Sequence, residues 1–203
     1  MKLYDGGRAP NPRRVRIFLA EKGISVPIVP VDLGALEHRG ENYTAINPMQ
    51  RVPALVLDDG TVITESMAIC RYFEALHPDP PLFGRGALAS ALVEMWSRRA
   101  EFHLYLPVSN VFRHLHPGMK ALVDPQVPAW GEANRAPVAD FLRFLDGELA
   151  RRPFIAGNDF TVADITALIA VDFMKVAKLA IPDELGNVRR WRDEVSSRPS
   201  AAA

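Results

Sequence analysis

Val52-Pro53-Ala54-Leu55-Val56-Leu57-Asp58-Asp59-Gly60-Thr61-Val62-Ile63-Thr64-Glu65-Ser66 is the stretch on which the fold turns. The apolar run from Val52 to Leu57 is ended by the turn dipeptide Asp59-Gly60, and Thr61 to Thr64 forms the returning strand of a predicted hairpin. A helix is predicted from Ser66, with Ile69, Tyr72, Phe73 and Leu76 on its apolar face. Working outward, Leu3 and Tyr4 open a short strand and Gly6-Gly7-Arg8-Ala9-Pro10 makes a turn-rich loop. The helix that follows from Asn11 carries Val15, Ile17, Phe18 and Leu19 and stops at Gly23, where a left-handed cap costs glycine least. Ile28 to Val31 reads as a second strand, and the segment from Asp32 to Pro48 is polar and irregular.

After about residue 76 the periodicity becomes purely helical, and this change of grammar predicts two domains. His77-Pro78-Asp79-Pro80-Pro81-Leu82-Phe83-Gly84-Arg85-Gly86 has three prolines and two glycines, so it makes a stiff connector rather than a helix. The expected division is residues 1–76, a linker at 77–85 and a helical domain at 86–203. In the latter, Leu88, Leu92, Met95, Trp96, Phe102 and Leu106 recur at helical spacing until Pro107 ends or kinks the helix. Val138, Phe141, Leu142, Leu145 and Leu149 form a second stripe; Ile165, Leu168, Ile169, Phe173 and Val176 form a third. Thr161-Val162-Ala163-Asp164 has the form of a capping box with Asp in place of Glu, and Val188, Trp191 and Val195 suggest a final helix.

Composition narrows the function. With 24 Lys and Arg against 24 Asp and Glu, nothing global attracts nucleic acid or an acidic membrane, and neither is expected as a partner. No apolar run approaches the ~18 residues of a membrane span, and no export signal opens the chain, so a cytoplasmic location is expected. One cysteine in 203 residues excludes a disulfide framework, a Cys-x-x-Cys redox pair and a multi-Cys zinc site. His114 and His116 lack the cysteines or carboxylates of a zinc motif, and no metal is predicted.

The element order resembles that of a cytosolic glutathione S-transferase, and four stretches in register carry the likeness. Ala9-Pro10-Asn11-Pro12-Arg13-Arg14-Val15-Arg16-Ile17 is similar to the first loop and helix of bacterial members, and Asn47-Pro48-Met49-Gln50-Arg51-Val52-Pro53-Ala54-Leu55 resembles the third strand. Thr64-Glu65-Ser66-Met67-Ala68-Ile69 matches the segment that holds the glutamyl end of glutathione, and Phe154-Ile155-Ala156-Gly157 through Phe160-Thr161-Val162-Ala163-Asp164-Ile165 matches the capping box of the helical domain. The resemblance implies an α/β thioredoxin-like domain followed by an all-α helical bundle, glutathione as cosubstrate, and a homodimer.

Glutathione has two carboxylates, an amine, two peptide bonds and a thiol. Ser66, opening a helix, offers a hydroxyl and unpaired N–H groups to the glutamyl carboxylate, and Glu65 can hold the amine. On physics alone the same pair is an ordinary N-cap and first-turn acid. Val52 is expected to pair its backbone with the cysteinyl part as an added strand, which calls for an exposed strand edge. Pro53 suits such an edge, and the family implies a cis Val52-Pro53 bond. Candidates for the glycine carboxylate are His38, Arg39 and Gln50, and a solvated surface role is the alternative. Tyr105 and Phe112 are assigned to an acceptor pocket, with helical core as the other reading.

Aligned on Val15-Arg16-Ile17, the position where several classes carry Ser or Cys is Ala9, so a mixed disulfide there is ruled out. The Ala-Pro-Asn triplet resembles nu-class enzymes and their fungal relatives, which nominates Asn11 as donor to the sulfur and Arg8 as electrostatic helper. Against this stands a mechanical reading, with Asn11 as N-cap and Pro12 at the first helical position. Arg13, Arg14 and Arg16 are expected to be solvated or at an interface, and Cys70 to be a packed small residue. The leading expectation is thiolate activation for attack on an electrophile. The alternatives are a glutathione-dependent disulfide or peroxide reductase and a weakly catalytic glutathione-binding protein.

Overall fold

A computed structural model describes residues 1–203. Two compact units divide the chain, Met1–Leu82 with Pro199–Ala203 and Phe83–Arg198.

The first unit runs β1 (Lys2–Asp5), α1 (Pro10–Glu21), β2 (Ile28–Pro30), α2 (Glu41–Thr44), β3 (Ala54–Val56), β4 (Val62–Thr64) and α3 (Ser66–Leu76). Its four-stranded sheet has the order β2-β1-β3-β4, with β1 and β2 parallel and the other two pairings antiparallel. The hairpin closes as its turn residues require: Asp59 Oδ1 accepts the Thr61 N–H at 2.9 Å, and Gly60 takes φ +87°. Alternation along β1 and β3 sends Leu3 and Leu55, both 0% exposed, to one face of the sheet, while Tyr4 and Ala54 line the other with Tyr43 of α2. Val15, Phe18, Ile69 and Phe73 complete the core; Leu76, expected on the apolar face of α3, is 51% exposed at the frayed end of that helix.

Residues up to 203 are expected in the helical half. Here the terminal turn packs in the first unit, where Arg13 donates to the Ala201 carbonyl at 3.0 Å and Ser200 donates to Glu21. The connector is held by Lys22 at the end of α1, which donates to the carbonyls of His77 and Pro80 at 2.7 and 2.6 Å.

The second unit comprises α4 (Gly86–Ala100), α5 (Leu106–Leu115), α6 (Pro128–Ala133), α7 (Arg135–Leu149), α8 (Val162–Met174) and α9 (Gly186–Ser196). Pro107 neither stops nor sharply ends the helix. Residues Glu101–Tyr105 widen into a π-helical turn closed by the Leu106 N–H on the Glu101 carbonyl, which absorbs the missing N–H and the ring of the proline. The apolar stripe of α4 and α5 falls differently from its spacing: only Trp96 of it is buried, while Leu88, Leu92, Phe102 and Leu106 are exposed. Val93, Ala100 and Leu104 take the core positions beside Trp96, and α8, buried on nearly every side, packs against α4. The capping box forms as expected, with Thr161 Oγ1 accepting the Ala163 N–H and Asp164 Oδ2 accepting the Thr161 N–H. No helix is long and apolar enough to cross a membrane.

Candidate functional site

At the C-terminal end of β1, Asp5 is 3% exposed, accepts the Gly7 N–H at 2.6 Å and pairs with Arg16, which also donates to the Gly7 carbonyl at 2.9 Å. Arg16 is therefore not simply solvated; it fixes the loop. A Cβ on Gly6 would fall 2.8 Å from Leu33 Cδ1 and from Val52 Cγ2, so glycine is what lets this loop lie against Val52.

The mechanical account of Asn11 does not hold. The N-cap of α1 is Ala9, whose side chain cannot cap, and Asn11 is the second helical residue. Pro10 and Pro12 have no N–H, while the N–H of Ala9 bonds to Gly6 and that of Arg13 to Ala9. The start of α1 is thereby stripped of the donors that a helix end ordinarily offers, except at Asn11. Arg8 stays exposed at the loop tip, outside the polar contacts around Asn11.

α3 begins at Ser66, which is 4% exposed. Glu65 precedes it with φ +65° and ψ 117°, a conformation that costs a non-glycine residue about 1–3 kcal/mol and marks functional sites. Between the two helix starts lies Arg14, 1% exposed, whose Nη1 donates to Ser66 Oγ at 2.6 Å and to Asn11 Oδ1 at 3.2 Å. The expectation of a solvated Arg14 is thus overturned: one turn beyond Asn11, it is buried within the unit. Residues 11 and 14 share one helical face, but that spacing alone does not say the face is buried.

Val52 lies two residues before the ladder, which begins at Ala54, and the Val52–Pro53 peptide is cis. The edge-strand expectation fails: β3 is an interior strand, and Pro53 is tolerated because it lies just outside the paired residues. Both Tyr43 Oη and Asn47 Nδ2 donate to the Arg51 carbonyl, at 2.6 and 2.7 Å, and hold the approach to Val52. Gln50 takes φ +54° and spends its amide on Thr44 Oγ1 at 3.0 Å. His38 is 5% exposed, its Nδ1 has no hydrogen-bond partner, and burial followed by the charges of Arg39 and Arg51 lowers its pKa. Arg39 is exposed. A separate cleft of about 440 Å³ between β2 and α2, lined by Tyr4, Val29, Glu37, Glu41 and Tyr43, includes none of His38, Arg39, Gln50 and Val52.

Cys70, 0% exposed, has its thiol pushed up to about 12 by burial, against the opposing charge of Arg14. In the second unit, Tyr105 and Phe112 are half-buried and pack on Phe173 with ring centroids 6.4 and 5.0 Å apart. The cavity beside Phe112 is only about 50 Å³. No group of three or more His, Cys, Asp or Glu is placed to hold a metal ion.

Residues 9–76 match the family model for the glutathione S-transferase N-terminal domain, and residues 128–199 match that for the C-terminal domain. Glutathione S-transferase 2 of Saccharomyces cerevisiae is 38% identical over 203 residues, 98% of this chain and 87% of the relative. Among solved structures, a glutathione S-transferase domain-containing protein of Marinobacter aquaeolei superposes with a TM-score of 0.95 at 41% identity over 98% of this chain and 99% of that one. Gtt2 from Saccharomyces cerevisiae superposes with a TM-score of 0.94 at 38% identity over 100% and 99%.

Proposed function

The chain belongs to the glutathione S-transferase family, and we propose that its first unit binds glutathione as cosubstrate and presents the thiolate to an electrophile. In this proposal the glutamyl carboxylate meets Ser66 and the start of α3, and the amine meets Glu65. The cysteinyl backbone pairs with Val52 beside Pro53, the glycine carboxylate meets His38, Arg39 and Gln50, and the sulfur lies by Asn11 with Arg8 as a charge nearby. The observation that carries it is Arg14 joining Asn11 to Ser66 across the two helix starts, with the Val52 backbone left outside the ladder.

A free thiol has a pKa near 8.5, and ionising it at neutral pH needs about 2.7 kcal/mol of preferential thiolate stabilisation. An amide donor at Asn11 and a buried guanidinium behind it are groups of the right sign. The thiolate attacks the electrophilic carbon, a C–S bond forms, and the leaving group departs with its electron pair; the chain supplies orientation and charge rather than a nucleophile. Turnover of a chlorinated nitroaromatic with glutathione, lost when Glu65 and Ser66 are replaced together, is the expected result, and absence of glutathione binding overturns it.

The loop Ala9-Pro10-Asn11, which carries no thiol, leaves room for a second reading. Reduction of a disulfide by two glutathiones, giving oxidised glutathione and two thiols, needs no protein sulfur either. Comparing the two activities in one preparation decides between them, and binding with neither activity leaves a glutathione-binding protein. A homodimer is inferred as well, supported by the exposed Leu88 and Leu92 on α4, Phe102 in the π-helical turn and Leu106 on α5, and a cytosolic setting goes with the family.

A further inference from the structure

We infer that Arg14 is the positioning residue of the site: one buried guanidinium sets the direction of two ligand-facing donors, the Asn11 amide and the Ser66 hydroxyl. This rests on the proposed glutathione site and adds a residue to it.

A guanidinium carries only donors, so whatever faces Arg14 Nη1 must accept. At Asn11 the facing atom is therefore the amide oxygen, at 3.2 Å, and the NH₂ end is turned away from Arg14. At Ser66, Oγ accepts at 2.6 Å, so the hydroxyl hydrogen is free to swing toward a third group. Left unpinned, an asparagine amide presents its oxygen as readily as its nitrogen, and a hydroxyl accepts as readily as it donates. With one acceptor site of each taken by Arg14, the Asn11 NH₂ and the Ser66 hydroxyl hydrogen are the ends turned away from the cation, which suits a thiolate and a carboxylate. The sequence makes this pinning matter more at α1 than at an ordinary helix start, because Pro10 and Pro12 have removed the neighbouring N–H groups. The guanidinium is 1% exposed and cannot reach solvent, so it behaves as a fixed cation behind both donors.

The test measures glutathione affinity, the ultraviolet titration of the bound thiolate and the melting temperature in wild type, Arg14→Lys, Asn11→Ala with Ser66→Ala, and the triple variant. Both acceptors meet one nitrogen, Nη1; lysine keeps the charge, but its shorter stem and tetrahedral ammonium do not bring a donor to the point between them. Arg14→Lys is expected to weaken glutathione binding about 10-fold and to raise the bound thiol pKa by about one unit. In the triple variant the same Arg14→Lys step should change neither quantity, since the groups through which it acts are gone. Unchanged affinity and thiol pKa in Arg14→Lys, or an effect that persists in the triple variant, overturns the positioning role, whatever the melting temperature does. Wild-type protein that fails to bind glutathione overturns the functional reading itself and the positioning role with it, and that outcome is visible before any variant is made.

Discussion

Two buried polar clusters, one in each unit, use the same chemistry toward opposite ends. At the start of α8, Asp164 is 0% exposed and its carboxylate accepts from the Ile155 N–H, the Thr161 N–H, the Thr161 hydroxyl and the Trp191 indole, at 2.9 to 3.1 Å. Both oxygens are committed to protein donors, and a helix start, an adjacent loop and α9 are tied to one point. At the starts of α1 and α3, Arg14 is as deeply buried, but the groups it holds keep donors in reserve: the NH₂ of Asn11 and the hydroxyl hydrogen of Ser66. A closed network stabilises the fold; an open one, costlier to maintain, makes sense where a ligand completes it.

The contrast breaks most easily at its closed end. Asp164→Ala leaves three buried N–H donors without acceptors and should cost about 3–5 kcal/mol of stability in chemical denaturation. Asn11→Ala removes one half-buried acceptor and should cost less than about 1 kcal/mol without ligand, its effect showing instead in glutathione binding. Equal losses at the two positions would erase the distinction.

His38 sharpens the same comparison on a smaller scale, as another buried group with an unspent valence at Nδ1. Burial and the charges of Arg39 and Arg51 hold its pKa below the ordinary 6.5, so the unfolded chain takes the proton first as pH falls. Stability is therefore intact above pH 6.5 and declines below it, with a slope of at most about 1.4 kcal/mol per pH unit from this residue. Denaturation midpoints between pH 7 and 5 should show that slope in wild type and not in His38→Gln. Saturating glutathione should reduce it if a carboxylate meets the imidazole; an unchanged slope removes His38 from the glycine end of the site.

Legibility in the sequence followed the same division. The capping box, the Asp59-Gly60 hairpin and the stripe from Val138 to Leu149 are local patterns, and each forms where its spacing puts it. Asn11 and Arg14 were legible as residues but not as partners. Burial of an arginine depends on the packing of α1 against α3, which periodicity does not encode, and three arginines within four positions look like a solvated face. The face of α4 was misleading for a related reason: leucines at helical spacing reveal a stripe, while only the neighbour, α8, decides that Val93 and Ala100 occupy the core and Leu88 does not. Pro53 likewise fits an edge by composition, yet what matters is whether its position lies inside the ladder, and the ladder starts one residue later.

The smallest expected effect belongs to Cys70, which lies inside the open cluster's own unit and within electrostatic reach of Arg14. A nearby cation ordinarily promotes a thiolate, and here burial outweighs it, leaving the thiol pushed up to about 12. Native protein at pH 8 should therefore resist iodoacetamide on a timescale that consumes free glutathione, and should react fully once unfolded. Cys70→Ala should change turnover by less than about twofold, with at most about 1 kcal/mol lost to the vacated sulfur volume. Rapid alkylation of the folded chain would mean that the space behind Arg14 opens to solvent. The guanidinium could then no longer act as a fixed cation, and the cluster at α1 and α3 would owe its spare donors to looseness rather than to a site awaiting its ligand.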